Sequence, residues 1–183
     1  MIGLIIVGVI VLIIIIYFIA TYNSLVGMKN RVKDEWSQID VELKRRADLI
    51  PNLIETVKGY AKHEKTTFDS VVEARNKMNN SSSKEEEIEA NNMITDALNK
   101  LFALSEAYPE LKANENFNSL QADMRDTEDK IALSRRMYND TVLTYNNKIE
   151  MFPSNVIAKM FKFKQEIFFN AEENEKEVPK AKF

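Results

Sequence analysis

The sequence contains no cysteine, and glycine and proline occur only four times each among its 183 residues. The absence of thiols excludes disulfides, thiolate zinc sites and a cysteine nucleophile, and it leaves the redox compartment undecided. The scarcity of turn-forming residues favours long helices with few connections. A formal net charge of −3 gives no general case for binding nucleic acid, and we expect none.

The first 28 residues carry no charged side chain. The apolar run from residue 2 to residue 20 is long enough to cross about 30 Å of hydrocarbon as a helix. A cleaved signal peptide is the competing interpretation, but it requires a basic start, a shorter apolar stretch and a small-residue cleavage site. The sequence has none of these features, so it predicts a retained transmembrane helix. The residues assigned to it are Ile2, Leu4, Ile5, Ile6, Val7, Val9, Ile10, Val11, Leu12, Ile13, Ile14, Ile15, Ile16, Tyr17, Phe18, Ile19 and Ala20.

Basic residues are concentrated after the apolar run, whereas only the α-amino group precedes it. The positive-inside rule therefore predicts a single-pass protein of the cell (inner) membrane, with Met1 outside and the remainder in the cytoplasm. The residues that set this orientation are Lys29, Arg31, Lys33, Lys44, Arg45 and Arg46.

Residues 29–79 show apolar side chains at alternating spacings of three and four, counted from Trp36. This heptad-like seam is typical of a coiled coil and predicts one long helix that continues the membrane helix. A capping box, formed by Ser83 with Glu86 or by Ser82 with Glu85, predicts the start of a second helix. That helix is expected to end at Ala107, because Tyr108-Pro109 follows.

A third helix is predicted from about residue 114 to residue 151, with a seam from Phe117 to Phe152. Pro153 is expected to end it, and Ser154 to cap a short fourth helix over 154–161. The conformation of residues 161–169 stays open. The predicted fold is all-α: a transmembrane anchor (1–28), an antiparallel bundle of three long helices and a short fourth (29–169), and a charged flexible tail (170–183).

Sites of catalysis are not evident in the sequence. Helical di-metal sites require a Glu-x-x-His pair, but the only histidine, His63, has Tyr60 three residues before it. The position four after it is Thr67, so the HExxH pattern is absent as well. We therefore expect neither a metal site nor a cofactor. A hydrolase that uses the carboxylates of Glu64, Glu106 and Glu128 remains as an alternative.

The stretch ELKRRADLIPNL, residues 42–53, places charge and a proline within an otherwise apolar seam. The spacing puts Arg46 on the seam itself, so we expect it to face other helices and to require a carboxylate partner, either Glu128 or Glu106. Pro51 cannot donate a backbone hydrogen bond, which predicts a bend at 47–51. The candidates for buried polar or bending positions are Arg46, Asp48, Pro51, Asn52, Glu64, Glu106 and Glu128.

Proline at position 51 also frees one backbone carbonyl, that of Ala47, from its usual intrahelical bond. We expect Asn52 or a water molecule to donate to this carbonyl. The stretch as a whole is predicted to specify how the helices of the bundle pack.

Long phrases of the chain resemble the LemA family of bacterial membrane proteins. They are YNSLVGMKNRVKDEWSQIDVELKRRADLIPNLIETVKGYAKHEK (22–65), AR (74–75), LSEAYPELKANENFNSLQ (104–121), TEDKIALSRRMYNDTVLTYN (127–146), FP (152–153) and a final P-x-x-x-F (179–183). Residues 81–89 match no phrase of the family. The resemblance implies a membrane-anchored helical bundle with no catalytic residue to assign. It also implies an association with membrane metalloproteases of the HtpX type and, in one branch, work in magnetosome membranes.

These observations favour a single-pass membrane protein whose cytoplasmic bundle is a scaffold or adaptor in envelope and membrane-stress processes. Its expected partners are the lipid bilayer, other membrane proteins and a second copy of the chain. The alternative functions are a homo-oligomer that shapes membranes and, less favoured, the carboxylate-dependent hydrolase.

Overall fold

The computed structural model describes residues 1–169. Their regular structure is helical, and no strand occurs among these described residues, which confirms the all-α fold class. The segment 170–183 lies outside the described residues, and so does the prediction of a flexible tail. The helices are α1 (Ile2–Lys58), α2 (Lys65–Asn79), α3 (Lys84–Ala107), α4 (Pro109–Lys112), α5 (Glu115–Glu150) and α6 (Ser154–Met160).

Helix α1 is continuous from the apolar run into the seam, as the absence of a helix breaker predicted. Its residues 2–17 are exposed, and cover by other parts of the chain begins at Phe18. Further along, the seam is buried at heptad-like positions such as Ile39, Leu43, Ile50 and Val57. Among the described residues, α1 is the one helix that is long and apolar enough to cross a membrane.

The prediction of one uninterrupted helix up to residue 79 was wrong, because the chain turns at residues 59–64. The N–H groups of Tyr60 and Ala61 both donate to the carbonyl of Val57 and close the end of α1. Gly59 at this point lowers helix propensity by about 1 kcal/mol relative to alanine. The seam did not reveal the turn, because its spacing continues from α1 into α2, where Val71 is buried again.

Helix α3 begins as its capping sequence predicted. The Ser83 hydroxyl accepts a hydrogen bond from the N–H of Glu86 at 3.2 Å. In return, the carboxylate of Glu86 accepts the N–H of Ser82 at 2.7 Å, one residue earlier than in a standard capping box. Tyr108 ends α3 as expected, and Pro109 then begins the short α4, which the sequence did not predict.

The junction of α5 and α6 differs from its prediction in two respects. Pro153, not Ser154, occupies the N-cap position, and the Ser154 hydroxyl donates instead to the carbonyls of Lys148 and Met151 at the end of α5. Phe152, expected on the seam, is exposed because α5 ends at Glu150. The buried positions of the α5 seam are Phe117, Met124, Thr127, Ile131, Tyr138 and Tyr145.

The described residues form two compact units, residues 1–38 with 134–169 and residues 39–133. In the first, Trp36 packs on Tyr138, while Met28 and Thr144 line a common cavity, so α1 and α5 are antiparallel there.

The second unit, residues 39–133, contains α2, α3, α4 and parts of α1 and α5. Lys77 near the end of α2 pairs with Glu89 near the start of α3, so these two helices are antiparallel. Arg45 of α1 lies 3.3 Å from Asp126 of α5, while Tyr60 accepts from Asn114 just before α5 begins, so α1 and α5 are antiparallel here too. These contacts agree with the predicted antiparallel bundle.

Candidate functional site

Arg46 is the buried charge at the centre of a polar cluster in the second unit. Its side chain leaves α1 and is only 4% exposed as a residue. Nη1 donates to Asn91 Oδ1 at 2.9 Å and to Thr95 Oγ1 at 3.1 Å, both on α3. Nη2 lies 2.6 Å from Glu128 Oε2 on α5. One guanidinium group therefore joins three helices.

The two charged groups of this cluster, Arg46 and Glu128, differ in how far they are exposed to water. Burial lowers the pKa of Arg46, and the charge of Glu128 opposes that shift. An arginine nevertheless stays ionised in proteins, so the cation needs a counter-ion. The side chain of Glu128 is 41% exposed and that of Arg46 is 5% exposed, so water reaches the glutamate more than the arginine, although the paired oxygen Oε2 is itself buried. The structure thus depends on Glu128 more than Glu128 depends on Arg46.

A cavity of about 370 Å³ opens beside the cluster within the second unit. Its wall has both charged and apolar parts. The charged residues are Arg46, Arg125 and Glu128, and the apolar residues include Leu98, Phe102 and Met124.

The three carboxylates proposed for a hydrolase each have a different partner. Glu128 is paired with Arg46, and Glu106 is held by Lys112 at 2.8 Å. Glu64 accepts a hydrogen bond from the hydroxyl of Tyr108 at 3.3 Å. The pKa of that hydroxyl is raised by desolvation and by its bond to Glu64. No group of three or more acidic or histidine side chains among residues 1–169 is arranged to hold a metal ion.

Three of the predicted buried or bending positions are at the surface. Asp48, Asn52 and Glu106 are exposed, because α1 and α3 bury their apolar faces and these residues fall outside them. Glu106 was also expected as a partner for Arg46. It pairs with Lys112 instead, since the residues of α3 that reach Arg46 are Asn91 and Thr95, further towards its start.

The carbonyl that Pro51 frees accepts a hydrogen bond from a distant arginine, and not from Asn52. Arg75 Nε on α2 donates to Ala47 O at 3.1 Å. Ala47 is buried and its carbonyl is reached from α2, whereas Asn52 is exposed. Helix α1 continues through Pro51 to Lys58, and the bend at 47–51 stays a prediction.

Removing this donor should destabilise the second unit. We expect Arg75→Met to lower the free energy of unfolding by about 1–2 kcal/mol, because it leaves a buried carbonyl without a donor. Urea unfolding of the detergent-solubilised chain, followed by circular dichroism, measures this loss.

The matched control for this prediction is Pro51→Ala, which restores an N–H to the Ala47 carbonyl. In that background, Arg75→Met should cost clearly less than in the native sequence. Equal costs in both backgrounds would show that Arg75 acts by some other contact.

In the segment left open by the sequence, residues 161–162 form the turn that ends α6, and residues 163–169 run as an extended segment along α5 in the first unit. Asn146 donates from Nδ2 to Glu166 O at 2.9 Å, and its Oδ1 accepts from Glu166 N at 3.0 Å. Asn139 forms the same pair of bonds with Phe169, at 3.0 and 2.8 Å. Each amide thus satisfies both backbone groups of one residue, as a neighbouring strand does in a sheet.

Two tyrosines complete this arrangement. The hydroxyl of Tyr145 donates to Lys164 O at 2.9 Å, and that of Tyr138 donates to Ile167 O at 2.8 Å. Burial, with the nearby charge of Glu166, raises the pKa of Tyr145, so its hydroxyl remains a donor. We call the two pairs, Tyr138-Asn139 and Tyr145-Asn146, the Tyr-Asn ladder.

The distance between the two Tyr-Asn pairs on α5 equals the distance between the two sets of backbone groups that they bind. Its pairs lie seven residues apart on α5, which is about 10.5 Å along a helix. The backbone groups that they bind lie three residues apart in the extended segment, which is about 10 Å. A helix can therefore recognise the backbone of an extended segment over two successive steps.

Aromatic packing holds the end of the extended segment. Phe169 is buried, and its ring lies 6.0 Å from Trp36 and 5.9 Å from the guanidinium of Arg135. The ladder was not predicted from the sequence. The signal that could have revealed it is the dipeptide Tyr-Asn repeated at a spacing of seven, in MYNDTVLTYNN.

Comparison with known proteins places this architecture in a family. The family model described as LemA family matches residues 35–183. The chain belongs to the LemA family. The match confirms the resemblance seen in the sequence, and it covers both the Arg46 cluster and the Tyr-Asn ladder.

Several individual proteins are similar to this LemA-family chain. Protein LemA of Metamycoplasma hominis is 27% identical over 160 residues, covering 87% of this chain and 73% of that protein. Magnetosome protein MamQ 2 of Paramagnetospirillum magneticum is 24% identical over 185 residues, covering 85% and 68%. Magnetosome protein MamQ of Magnetospirillum gryphiswaldense is 22% identical over 175 residues, covering 81% and 64%.

Proposed function

We propose that this LemA-family chain is a single-pass membrane protein whose cytoplasmic bundle binds other proteins as a scaffold or adaptor. The continuity of α1 carries the proposal. One helix of 57 residues joins an exposed apolar segment to the buried seam of the bundle. An apolar segment that is exposed over residues 2–17 is unfavourable in water and favourable in lipid. We propose no reaction, because the candidate carboxylates have separate partners.

The proposed orientation places Met1 outside the cell (inner) membrane and the bundle in the cytoplasm. It is testable because the chain contains no cysteine, so a single introduced thiol gives an unambiguous label. Val72 on α2 is exposed and suits this purpose. We expect Val72→Cys to react with a membrane-impermeant maleimide only after cells are permeabilised. A cysteine placed ahead of Met1 should react in intact cells, and the opposite pattern would reverse the orientation.

The partners proposed for the bundle are membrane proteins, with an HtpX-type metalloprotease as the first to examine. The test is affinity purification of the tagged chain from detergent-solubilised membranes after crosslinking from Val41→Cys or Leu133→Cys, both exposed positions. The cysteine-free parent is the matched control. A reproducible partner in envelope or membrane-stress processes supports the proposal. Recovery of neither a partner nor a second copy contradicts it.

A second candidate function is that of a homo-oligomer that shapes membranes. The similarity to proteins named as magnetosome proteins favours it. The measurement is the mass of the full chain in lipid nanodiscs and in mild detergent, by light scattering after size exclusion. Only monomers in both media would remove this candidate.

A further inference from the structure

The loop after α5, helix α6 and the residue that follows α6 expose several large apolar side chains. Their exposed fractions range from 45% to 80%. An apolar surface of this kind on a protein marks a contact with another protein or with a membrane. The residues are Met151, Phe152, Val156, Met160 and Phe161. We call them the α6 patch.

The α6 patch lies where α1 stops being covered by the rest of the chain. The ring of Phe161 is 5.8 Å from that of Phe18 and 4.5 Å from that of Tyr22. Residues 2–17 of α1 are exposed, and Phe18 is the first that is partly covered. Phe161 therefore marks the boundary between the bare, apolar part of α1 and the covered part.

The end of α5 reaches the same level along α1. Tyr138 packs on Trp36, and the two helices are antiparallel. Twelve residues further along α5, at Glu150, the helix has advanced about 18 Å. The same distance back along α1 from Trp36 leads to residue 24, within two turns of Phe18. The loop that carries Phe152 consequently lies beside the boundary as well.

Positive charge accompanies the apolar side chains. Lys159 and Lys162 are exposed on either side of Met160 and Phe161. Lys29 lies over the ring of Phe163, 5.8 Å from its centre. Anionic lipid headgroups attract lysines held near a membrane surface.

The backbone also fixes Lys162 in this place. It has a φ of 58°, in the left-handed region where glycine is usually preferred. Its N–H donates to Lys159 O, and Phe163 N donates to Ala158 O, which is the Schellman arrangement at the end of a helix. A lysine at this glycine-favoured position keeps a charge next to Phe161.

We propose that the α6 patch is a second membrane contact, which lies in the headgroup boundary of the bilayer that α1 crosses. Its apolar side chains enter the acyl region, and its lysines meet anionic headgroups. The proposal rests on the membrane anchoring proposed above. A lipid occupant is favoured over a second copy of the chain because the patch adjoins the end of the membrane helix. The Tyr-Asn ladder holds residues 164–169 on α5 and so fixes Phe161 and Phe163 at this level.

The test uses the full chain in nanodiscs that contain phosphatidylglycerol. Spin labels are attached to Val156→Cys and Met160→Cys, and collisions with lipid-soluble oxygen and with a water-soluble nickel complex give their depth. We expect both labels to lie about 5–10 Å below the headgroups, as amphipathic helices do. Leu143→Cys, an equally exposed apolar position earlier on α5, is the matched control and should report water. Ile10→Cys reports on the anchor itself.

The outcomes separate this inference from the anchoring on which it rests. Immersed labels at Val156, Met160 and Ile10, with a hydrated label at Leu143, support the proposal. A hydrated label at Val156 and Met160 with an immersed one at Ile10 overturns the second contact and leaves the anchor in place. A label shielded from both quenchers means that a protein covers the patch, which also overturns the proposal. A hydrated label at Ile10 contradicts the anchor.

Discussion

Replacing Glu128 with glutamine is expected to lower the free energy of unfolding by about 2–3 kcal/mol. The substitution keeps the shape of the side chain but removes the counter-ion of Arg46, whose guanidinium is almost fully buried. Removing one partner of a buried ion pair lowers the free energy of unfolding by about 3–5 kcal/mol, because the remaining buried charge is left without a counter-ion. Because the side chain of Glu128 is partly exposed, the expected loss lies at or below the lower limit of that range.

Removing the cation instead should cost less. We expect Arg46→Met to lose about 1–2 kcal/mol, because methionine fills similar space while Asn91 and Thr95 each lose a hydrogen bond. Glu128 then remains solvated. The double variant should be less destabilised than the sum of the two single variants.

Urea unfolding of the detergent-solubilised chain by circular dichroism measures these differences. Asp126→Asn is the matched control, since Asp126 lies on the same helix and pairs with Arg45 and Lys130 at the surface. Surface pairs of this kind contribute about 0–1 kcal/mol, so the control should unfold almost as the native chain does. If Glu128→Gln and Asp126→Asn lower the free energy of unfolding equally, Arg46 does not depend on Glu128 as its counter-ion.

The residues that make this cluster show what local sequence patterns can reveal. The heptad spacing of α1 identified Arg46 as a seam residue, because periodicity reports which face of a helix is buried. It could not identify Asn91 and Thr95, since their contact with Arg46 depends on how α3 lies against α1. The same limit explains why Glu106 was wrongly predicted as a possible partner of Arg46. Its charge is suitable, but its position on α3 pairs it with Lys112 instead.

Turns and contacts between distant residues were also difficult to predict from the sequence. The end of α3 was predictable because Pro109 acts on its own neighbour. The turn after Lys58 was not, because the apolar spacing continues through it and Gly59 is only a weak signal. A donor close in sequence was predicted for the Ala47 carbonyl, but the donor is Arg75 on the next helix. Contacts between distant residues follow from the fold, which periodicity alone does not determine.

The extended segment is the strongest case of this kind. Nothing within residues 163–169 selects an extended conformation, because the groups that stabilise it lie on α5. Its aromatic alternation agrees equally with a strand or a helix. The sequence signal is on the partner, where the Tyr-Asn pairs recur at a spacing of seven.

Converting both ladder asparagines to aspartate should release the extended segment from α5. In Asn139→Asp with Asn146→Asp, each side chain keeps an acceptor but turns a carboxylate oxygen towards a backbone carbonyl, at Phe169 and Glu166. Two donors are lost and two repulsive contacts are created. We expect a loss of about 3–4 kcal/mol for the double variant, and about half for either single one.

Amide hydrogen exchange is the decisive measurement, because the N–H groups of Glu166 and Phe169 bond directly to the two asparagines. Their protection should fall by roughly 100-fold or more, since each 1.4 kcal/mol corresponds to a factor of ten. Fluorescence of Trp36, the one tryptophan of the chain, should change with it, because its ring lies 6.0 Å from Phe169.

Asn147→Asp provides a matched control, with the same chemical change one residue away on the exposed side of α5. It should leave both the exchange rates and the fluorescence as they are. Loss of protection in this control would mean that charge on α5, rather than the amide bonds, governs the segment. If the amide bonds hold the segment, its detachment from α5 in the double variant should extend towards Phe161, because the ladder joins residues 164–169 to α5. In the nanodisc experiment the labels of the α6 patch would then become more mobile in the double variant and remain unchanged in Asn147→Asp.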